Sequence, residues 1–291
     1  MGSLLNGGDK VNNGELNNKK AGVGYYILLT VLGILMVFPL IWMLLSALKT
    51  SSEIFAVPLK WLPSAPQWGN FVEALDMAPF GLYIFNSIFT ALVIVIFQLI
   101  LSCMIAYALT QMQFKGRALL FNLILITYML PPEATYVPSY TIVAKMGLLD
   151  TLSGVIISNI ANVFTIFLLR QAFMQVPKDT IEAARAYGAG DFAILRKVMI
   201  PMSKSTIFIV SLISFVKMYN NYLWPSLVVK SEENYLITVG LNKFFSAEGS
   251  FADKWPLIMS ANVLSVIPLL ILFIVLHKWF IKGIGDSGLK G

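Results

Sequence analysis

The residues with the most chemistry to offer lie between Ser214 and Ser226, in "SFVKMYNNYLWPS", where Lys217, Asn220 and Asn221 interrupt an apolar run. On a continuous helix, residues three, four and seven apart share a face, so Lys217, Asn220, Asn221 and Trp224 are expected on one stripe. In the middle of a bilayer-spanning helix a lysine costs about 2.5–3.5 kcal/mol on insertion scales unless it meets a partner or water. Asparagine is also unfavourable against lipid but bonds across helices. The stripe is therefore expected to face the protein interior. Two arrangements satisfy it. In the first, the asparagines tie neighbouring helices together and Lys217 pairs with an interior acid. In the second, the stripe lines a hydrated cavity, where amides bond hydroxyl groups and Tyr219, Tyr222 or Trp224 offers an apolar face with a polar edge. Glu133 is the expected acid; it follows Pro131 and Pro132, which remove backbone donors from the same apolar segment.

Something must hold these residues within a membrane. Of 291 residues, 57% are hydrophobic and only 12% charged, against about a quarter charged in ordinary soluble domains. A run of roughly 20 apolar residues crosses the hydrocarbon layer. Such runs are expected to form spans near 25–48, 83–108, 118–139, 152–173, 205–229 and 257–280. An all-α membrane protein with six transmembrane helices is expected. Residues 1–24, rich in Asn, Gly and Lys, are expected to form a flexible tail, 25–280 the transmembrane domain, and 281–291 a C-terminal tail. The first span lacks a small-residue cleavage site and is read as retained.

Basic residues give the direction. With six spans, fourteen Lys and Arg fall on the side of both termini and six on the other, leaving Lys217 in the membrane. Both termini are therefore expected in the cytoplasm, since basic loops stay inside. The outer loops collect Pro and Trp, and Trp61, Trp68 and Trp255 suit interface anchors. The net charge of +6 fits membrane anchoring and gives no reason to invoke nucleic acid.

Catalytic constellations are not apparent. One His (His277), one Cys (Cys103) and no clustered carboxylates leave neither a metal set nor a nucleophile with its base. No G-x-x-x-x-G-K-[ST] occurs, so the chain has no nucleotide-binding P-loop. A secondary transporter, the main alternative, would use intramembrane carboxylates or ion sites. Glu133 alone is a thin supply.

The long basic loop 171–204 contains "QVPKDTIEAARAYGAGDFAILRKVMIPMSK". Pro177 fixes φ ahead of a short helix, with Asp179 and Glu182 spaced as a capping box. Gly188 suits the left-handed C-terminal turn. Asp191 is expected to cap a second helix, Phe192 to Ile200, which Pro201 stops. Helices this short are marginal alone. The alanine face of Ala183, Ala184 and Ala186 is poor at entering lipid and good at admitting another protein closely.

These residues carry a resemblance. Glu182-Ala183-Ala184 followed by Gly188 and "ILRKVMIP" resembles the EAA loop of binding-protein-dependent ABC importer permeases. "LPPEATYVPSY" (130–140), "FVKMYNNYLWPSLV" and "KGIGDSGLKG" resemble, in order, signatures of the carbohydrate subgroup. The likeness spans nearly the whole chain and is strongest to the shorter permease subunit of maltose-type and glycerol-phosphate-type sugar importers. Tyr219 departs from it, since Trp usually precedes Asn there. The resemblance implies the type I ABC importer permease fold, with cytoplasmic coupling helices between spans four and five. It implies a bacterial multi-pass cell-membrane subunit working by alternating access. Asp179, Glu182, Ala183, Ala184 and Gly188 would engage a cytoplasmic ATPase; Lys217, Tyr219, Asn220, Asn221, Trp224 and Glu133 would flank the sugar's path. The implied partners are a second permease, two ATPase copies, an extracytoplasmic sugar-binding protein and membrane lipid. The chain itself would hold no cofactor and catalyse nothing; ATP and Mg would sit in the ATPase.

Overall fold

The computed structural model describes residues 23–247 and 254–288. Among them are helices and no strands. The chain divides into two compact units, one ending at Met43 and one beginning at Leu44. Of the two expected tails, residues 1–22 and 289–291 lie outside the described residues.

Helix α1, Val23–Ala47, is apolar almost throughout, and its side chains from Tyr25 to Ile41 are largely exposed. That is the surface a bilayer solvates. After it, α2 (Ser51–Ile54) and α3 (Gly69–Met77) bracket a loop held from within. Thr50 and Glu53 form a capping box on α2, and Glu53 also accepts from Ser64 N at 2.9 Å. These hydrogen bonds hold the Glu53 carboxyl down at about 2. Lys49, fully buried, donates to Lys60 O at 2.6 Å.

Helix α4, Phe80–Gln111, is the spine of the second unit. Its buried stripe mixes polar and small residues, among them Asn86, Ser87, Thr90, Ala91, Gln98, Ser102 and Ala106, with larger ones such as Phe80, Tyr83, Ile94, Tyr107 and Leu109. Its exposed stripe is Phe85, Phe89, Leu92, Ile96, Phe97 and Ile100. In lipid, large apolar side chains face out and small ones admit neighbouring helices.

The next three spans expected from hydropathy are interrupted. Helix α5 (Arg117–Tyr128) meets a 3-10 turn (Pro132–Thr135) and α6 (Tyr136–Lys145), with a bend of 102° between the two halves. Pro131 is extended (φ −61°, ψ 131°), as a residue before proline prefers, so the helix cannot pass. Helices α7 (Leu152–Ile157) and α8 (Val163–Met174) flank a break where Asn162 accepts from Thr165 N and so caps α8.

Helices α9 (Lys178–Ala186) and α10 (Asp191–Ile194) form a surface knob. A π-helical turn, Leu195–Met199, leads into α11 (Ile200–Met202). Helix α12 (Lys204–Tyr219) follows at a bend of 80°. Helix α13 (Leu223–Val228) resumes after a gap at Asn220–Tyr222. A 3-10 turn (Glu232–Asn234), α14 (Ile237–Ala247) and α15 (Trp255–Gly288) complete the chain. Among the described residues, three helices are long and apolar enough to cross a membrane singly, Gly24–Ala47, Phe80–Gln111 and Trp255–His277, and up to five spans result if each bent pair is one.

Helix α4 packs against α8 and α12, and α15 packs against α3 and α12. One cluster at one end joins Tyr83, Phe215, Tyr219, Ile237 and Ile258; another at the knob end joins Tyr107, Phe173, Ile181, Ile194 and Met199. Gly154 is a point of close approach: a Cβ there would lie 2.2 Å from the Leu148 carbonyl oxygen. Backbone cannot give way cheaply. Gly154→Ala is expected to lower stability by about 1–3 kcal/mol or more, read as a fall in the thermal unfolding midpoint of the purified protein.

Candidate functional site

The breaks in the helices meet around one cavity of about 950 Å³. Its wall is made of the α5–α6 corner (Tyr128 to Tyr136), the α7–α8 gap (Ser158, Asn159, Asn162) and the α12–α13 gap (Asn220, Asn221, Tyr222). Five amides line it, Gln98, Asn159, Asn162, Asn220 and Asn221, with Thr127, Thr135, Ser139 and Ser158 hydroxyls beside them. Tyr136 and Trp224 lie ring to ring at 5.6 Å on its edge. Lys217 and Glu133 are the charged residues of the wall. A space of this size is typical of a small-molecule site, and its amides and hydroxyls can both donate and accept hydrogen bonds.

The expected stripe on one continuous helix is not what forms. Helix α12 stops at Tyr219; Asn220 is its C-cap, and its side chain bonds back to Val216 O at 2.9 Å. Asparagine competes with the helix for backbone partners, which is why the run ends there. Lys217, Asn220, Asn221 and Trp224 still line the same cavity, brought together by a break. Tyr219 turns away. It is 2% exposed and donates to Ser265 O at 2.8 Å, tying α12 to α15. Lys217 and Glu133 share the cavity wall without an ion pair within 4 Å.

The sequence reading missed Gln98, Asn159 and Asn162. Gln98, 2% exposed, donates from Nε2 to Asn159 O at 2.6 Å. A lone amide inside "IVIFQLIL" was the available signal. Trp224 Nε1 and Gln98 Oε1 are buried without a hydrogen-bond partner. One is a donor and the other an acceptor, so a hydroxyl or a water suits both.

In the knob, Pro177 is the N-cap of α9 and no side chain caps it, so the expected Asp179–Glu182 capping box is absent. Asp179, Glu182, Ala183 and Ala186 are exposed instead, on one face. Ile181 is buried and Ala184 packs beside it. Gly188 takes the left-handed conformation at φ +80°, as its type predicts, and Ala189 N closes the turn on Ala184 O at 3.0 Å. Tyr187 and Phe192, 93% and 72% exposed, add aromatic surface at the tip. Asp191 does not cap; it is the first residue of α10, and its Oδ1 accepts from Tyr107 OH at 2.7 Å and Arg185 Nη2 at 3.3 Å. Pro201 does not end the helical run, which continues to Met202. The π-turn, where Ile200 N bonds Leu195 O, shifts the ladder ahead of the proline.

At the opposite end, residues 230–237 are clamped rather than free. Tyr83 OH donates to Glu232 Oε1 at 2.7 Å, and Asn86 Nδ2 to the carbonyls of Glu233 and Tyr235 at 2.9 and 3.1 Å. Asp150, at φ +57°, accepts from Lys230 N, Ser231 N and Ser231 Oγ. Those donors hold its carboxyl down at about 2. A folded-state pKa below the unfolded one gives stability that is present above about 3.9 and lost as pH falls through about 2. Protection of the Lys230 and Ser231 amides against hydrogen exchange is therefore expected to hold from pH 7 to about 4 and to fall between about 4 and 2.

Among the described residues, no three His, Cys, Asp or Glu side chains gather to hold a metal ion. Broken helices thus surround a polar cavity, and a surface knob packs on the same bundle. Comparison with known proteins places the chain. Residues 98–286 match the family described as binding-protein-dependent transport system inner membrane component, and the chain belongs to that family, the permeases of ABC importers. It is 33% identical over 264 residues to the sn-glycerol-3-phosphate transport system permease protein UgpE of Pectobacterium atrosepticum, covering 88% of this chain and 94% of that one. The Yersinia enterocolitica protein of the same name is 30% identical over 277 residues, covering 93% and 98%. A solved bacterial ABC transporter involved in import of the acidic polysaccharide alginate superposes with a TM-score of 0.80 at 26% identity, covering 89% of this chain and 96% of that chain. The chain is a transport permease of the inner membrane.

Proposed function

We propose that this permease forms half of the path for a sugar, an oligosaccharide or a sugar phosphate, in an importer completed by a second permease, two ATPase copies and an extracytoplasmic binding protein. The cavity carries this reading. Lys217, Asn220, Asn221, Trp224 and Glu133 flank the cargo, with Gln98, Asn159 and Asn162 added to them. Amides and hydroxyls meet the cargo's hydroxyl groups, and the Tyr136–Trp224 pair meets its apolar ring face. Tyr219 serves packing instead. Relatives that carry sn-glycerol-3-phosphate and alginate support a carbohydrate-like cargo.

The exposed face of Asp179, Glu182, Ala183 and Ala186, closed by Gly188, docks in the ATPase with Ala184 supporting it from beneath. The chain contributes no catalysis. The knob lies in the cytoplasm, as do both termini, because the basic residues gather on that side. A single-cysteine variant, Tyr187→Cys with Cys103→Ser, tests this. A membrane-impermeant maleimide is expected to label it in inside-out vesicles, with ATPase subunits shielding the site. Labelling in right-side-out vesicles would overturn the orientation.

A further inference from the structure

The knob is joined to the cavity by two routes. One is the chain itself, through α11 and Ser203 into α12, which ends at cavity residue Asn220. The other is a side-chain contact. Tyr107, 3% exposed on α4, donates to Asp191 Oδ1 at 2.7 Å. Hydrogen bonds from a hydroxyl to a carboxylate are short and roughly twice as strong as neutral ones. Around it Ile181, Ile194, Leu195 and Met199 from the knob pack on Cys103, Ala106 and Tyr107 of α4. Arg185, on α9, reaches the same carboxylate oxygen, so Asp191 joins both knob helices to the spine.

Nine residues back along α4, about 13.5 Å at 1.5 Å per residue, Gln98 holds Asn159 O at the α7–α8 break. Both residues line the cavity. One unbroken helix thus has the knob bonded near one end and the cavity wall bonded at its middle.

We propose that Tyr107 and Asp191 are positioning residues forming a latch that makes α4 a second transmission rod, carrying knob displacement to the Gln98–Asn159 wall. Helices shift as rigid bodies by 1–2 Å in such transitions, and a helix gripped at one end moves what it holds further along. Removing the latch leaves the chain connection through α12 intact, so the two routes can be separated. The proposal rests on the reading that an ATPase docks on the knob.

The test uses the assembled importer with its ATPase and companion permease, carrying Cys103→Ser and a reporter cysteine, Ser139→Cys, in the cavity wall. The rate of maleimide labelling is measured with and without MgATP plus vanadate, and ATPase co-purification and basal ATP hydrolysis are followed in parallel. In the reporter background, nucleotide is expected to change the labelling rate. Tyr107→Phe and Asp191→Ala should each shrink that response at least about fivefold while the ATPase stays bound and active. Asp191→Asn, whose amide oxygen still accepts, should retain most of it, and the Tyr107→Phe/Asp191→Ala double variant should be no worse than either single one. An undiminished response in both single variants would overturn the latch, as would a double variant equal to the sum. Loss of ATPase binding in Tyr107→Phe would also overturn it, because the contact would then be shaping the docking face. Failure of the reporter complex itself to retain an ATPase would instead count against the docking reading.

Discussion

Replacing Glu182 with lysine is expected to abolish nucleotide-driven uptake while leaving the permease folded. Glu182 is exposed on α9, and among the described residues no hydrogen bond or ion pair engages its side chain. Its substitution therefore removes nothing from the fold. It shares its exposed face with Asp179, Ala183 and Ala186, and the small alanine side chains admit close approach. Truncating one partner of a buried, hydrogen-bonded charge pair at an interface costs about 2–5 kcal/mol. Reversing the charge adds repulsion, so a fall in ATPase affinity of at least about 30-fold is expected. Co-purification and uptake in vesicles read the loss, and an unchanged unfolding midpoint confirms that the fold survives. Ala186, on the same face, offers a graded control, because a larger side chain there blocks approach without changing charge.

Asn86→Leu is expected to have the largest effect on stability. Asn86 is 4% exposed and its side-chain amide satisfies two carbonyls, of Glu233 and Tyr235. Leucine has similar size but no donor. Each carbonyl left unpaired costs about 1–3 kcal/mol, so about 2–6 kcal/mol is at stake. The loss would be local first. Residues 230–237 should lose hydrogen-exchange protection, while Asp150 still pins Lys230 and Ser231. Asn86→Asp should be nearly as harmful, since an ionised carboxylate donates nothing. Full protection of Glu233 to Ile237 in Asn86→Leu would show that Tyr83 and Ser87, whose Oγ accepts from Ile237 N at 2.7 Å, suffice to hold the loop.

Legibility in the sequence followed the physics of each signal. Long apolar runs and the charge asymmetry announce a helical membrane protein, and α1, α4 and α15 appear close to where hydropathy puts them. The knob was legible because Pro177 and Gly188 punctuate it, one by fixed φ and the other by a positive φ of 80°. Hydropathy averages over a window and so could not see breaks only a few residues wide. The gaps at Asn159–Asn162 and Asn220–Tyr222 cost little apolarity but redirect the backbone. Periodicity then placed Lys217, Asn220, Asn221 and Trp224 together for the wrong reason, since a helix end gathers them. Tyr219 was drawn in by its neighbours, although its ring packs on Phe215 and its hydroxyl is used by Ser265. Asp179 and Asp191 show the complementary error. Each has the residue type and position of a cap, but Pro177 takes the first site and Tyr107 claims the carboxylate at the second. Tertiary partners decide such contests, and local sequence does not display them.

The Asp150 clamp shows the same limit. Nothing local predicts that an aspartate in "GLLDTL" will accept from residues 80 positions away. Yet with Tyr83 and Asn86 it converts an acidic loop into a fixed surface at the end of the bundle opposite the knob. Helix α4 is therefore bonded near both of its ends, to this loop through Tyr83 and Asn86 and to the knob through Tyr107.

Uptake into sealed vesicles, reconstituted from this permease and its companion with or without the ATPase pair, tests the central claim most directly. With the binding protein and its sugar supplied outside and ATP trapped within, solute should accumulate only when the ATPase pair is present and hydrolysing. Accumulation driven by a proton or sodium gradient, with the ATPase left out, would contradict the account.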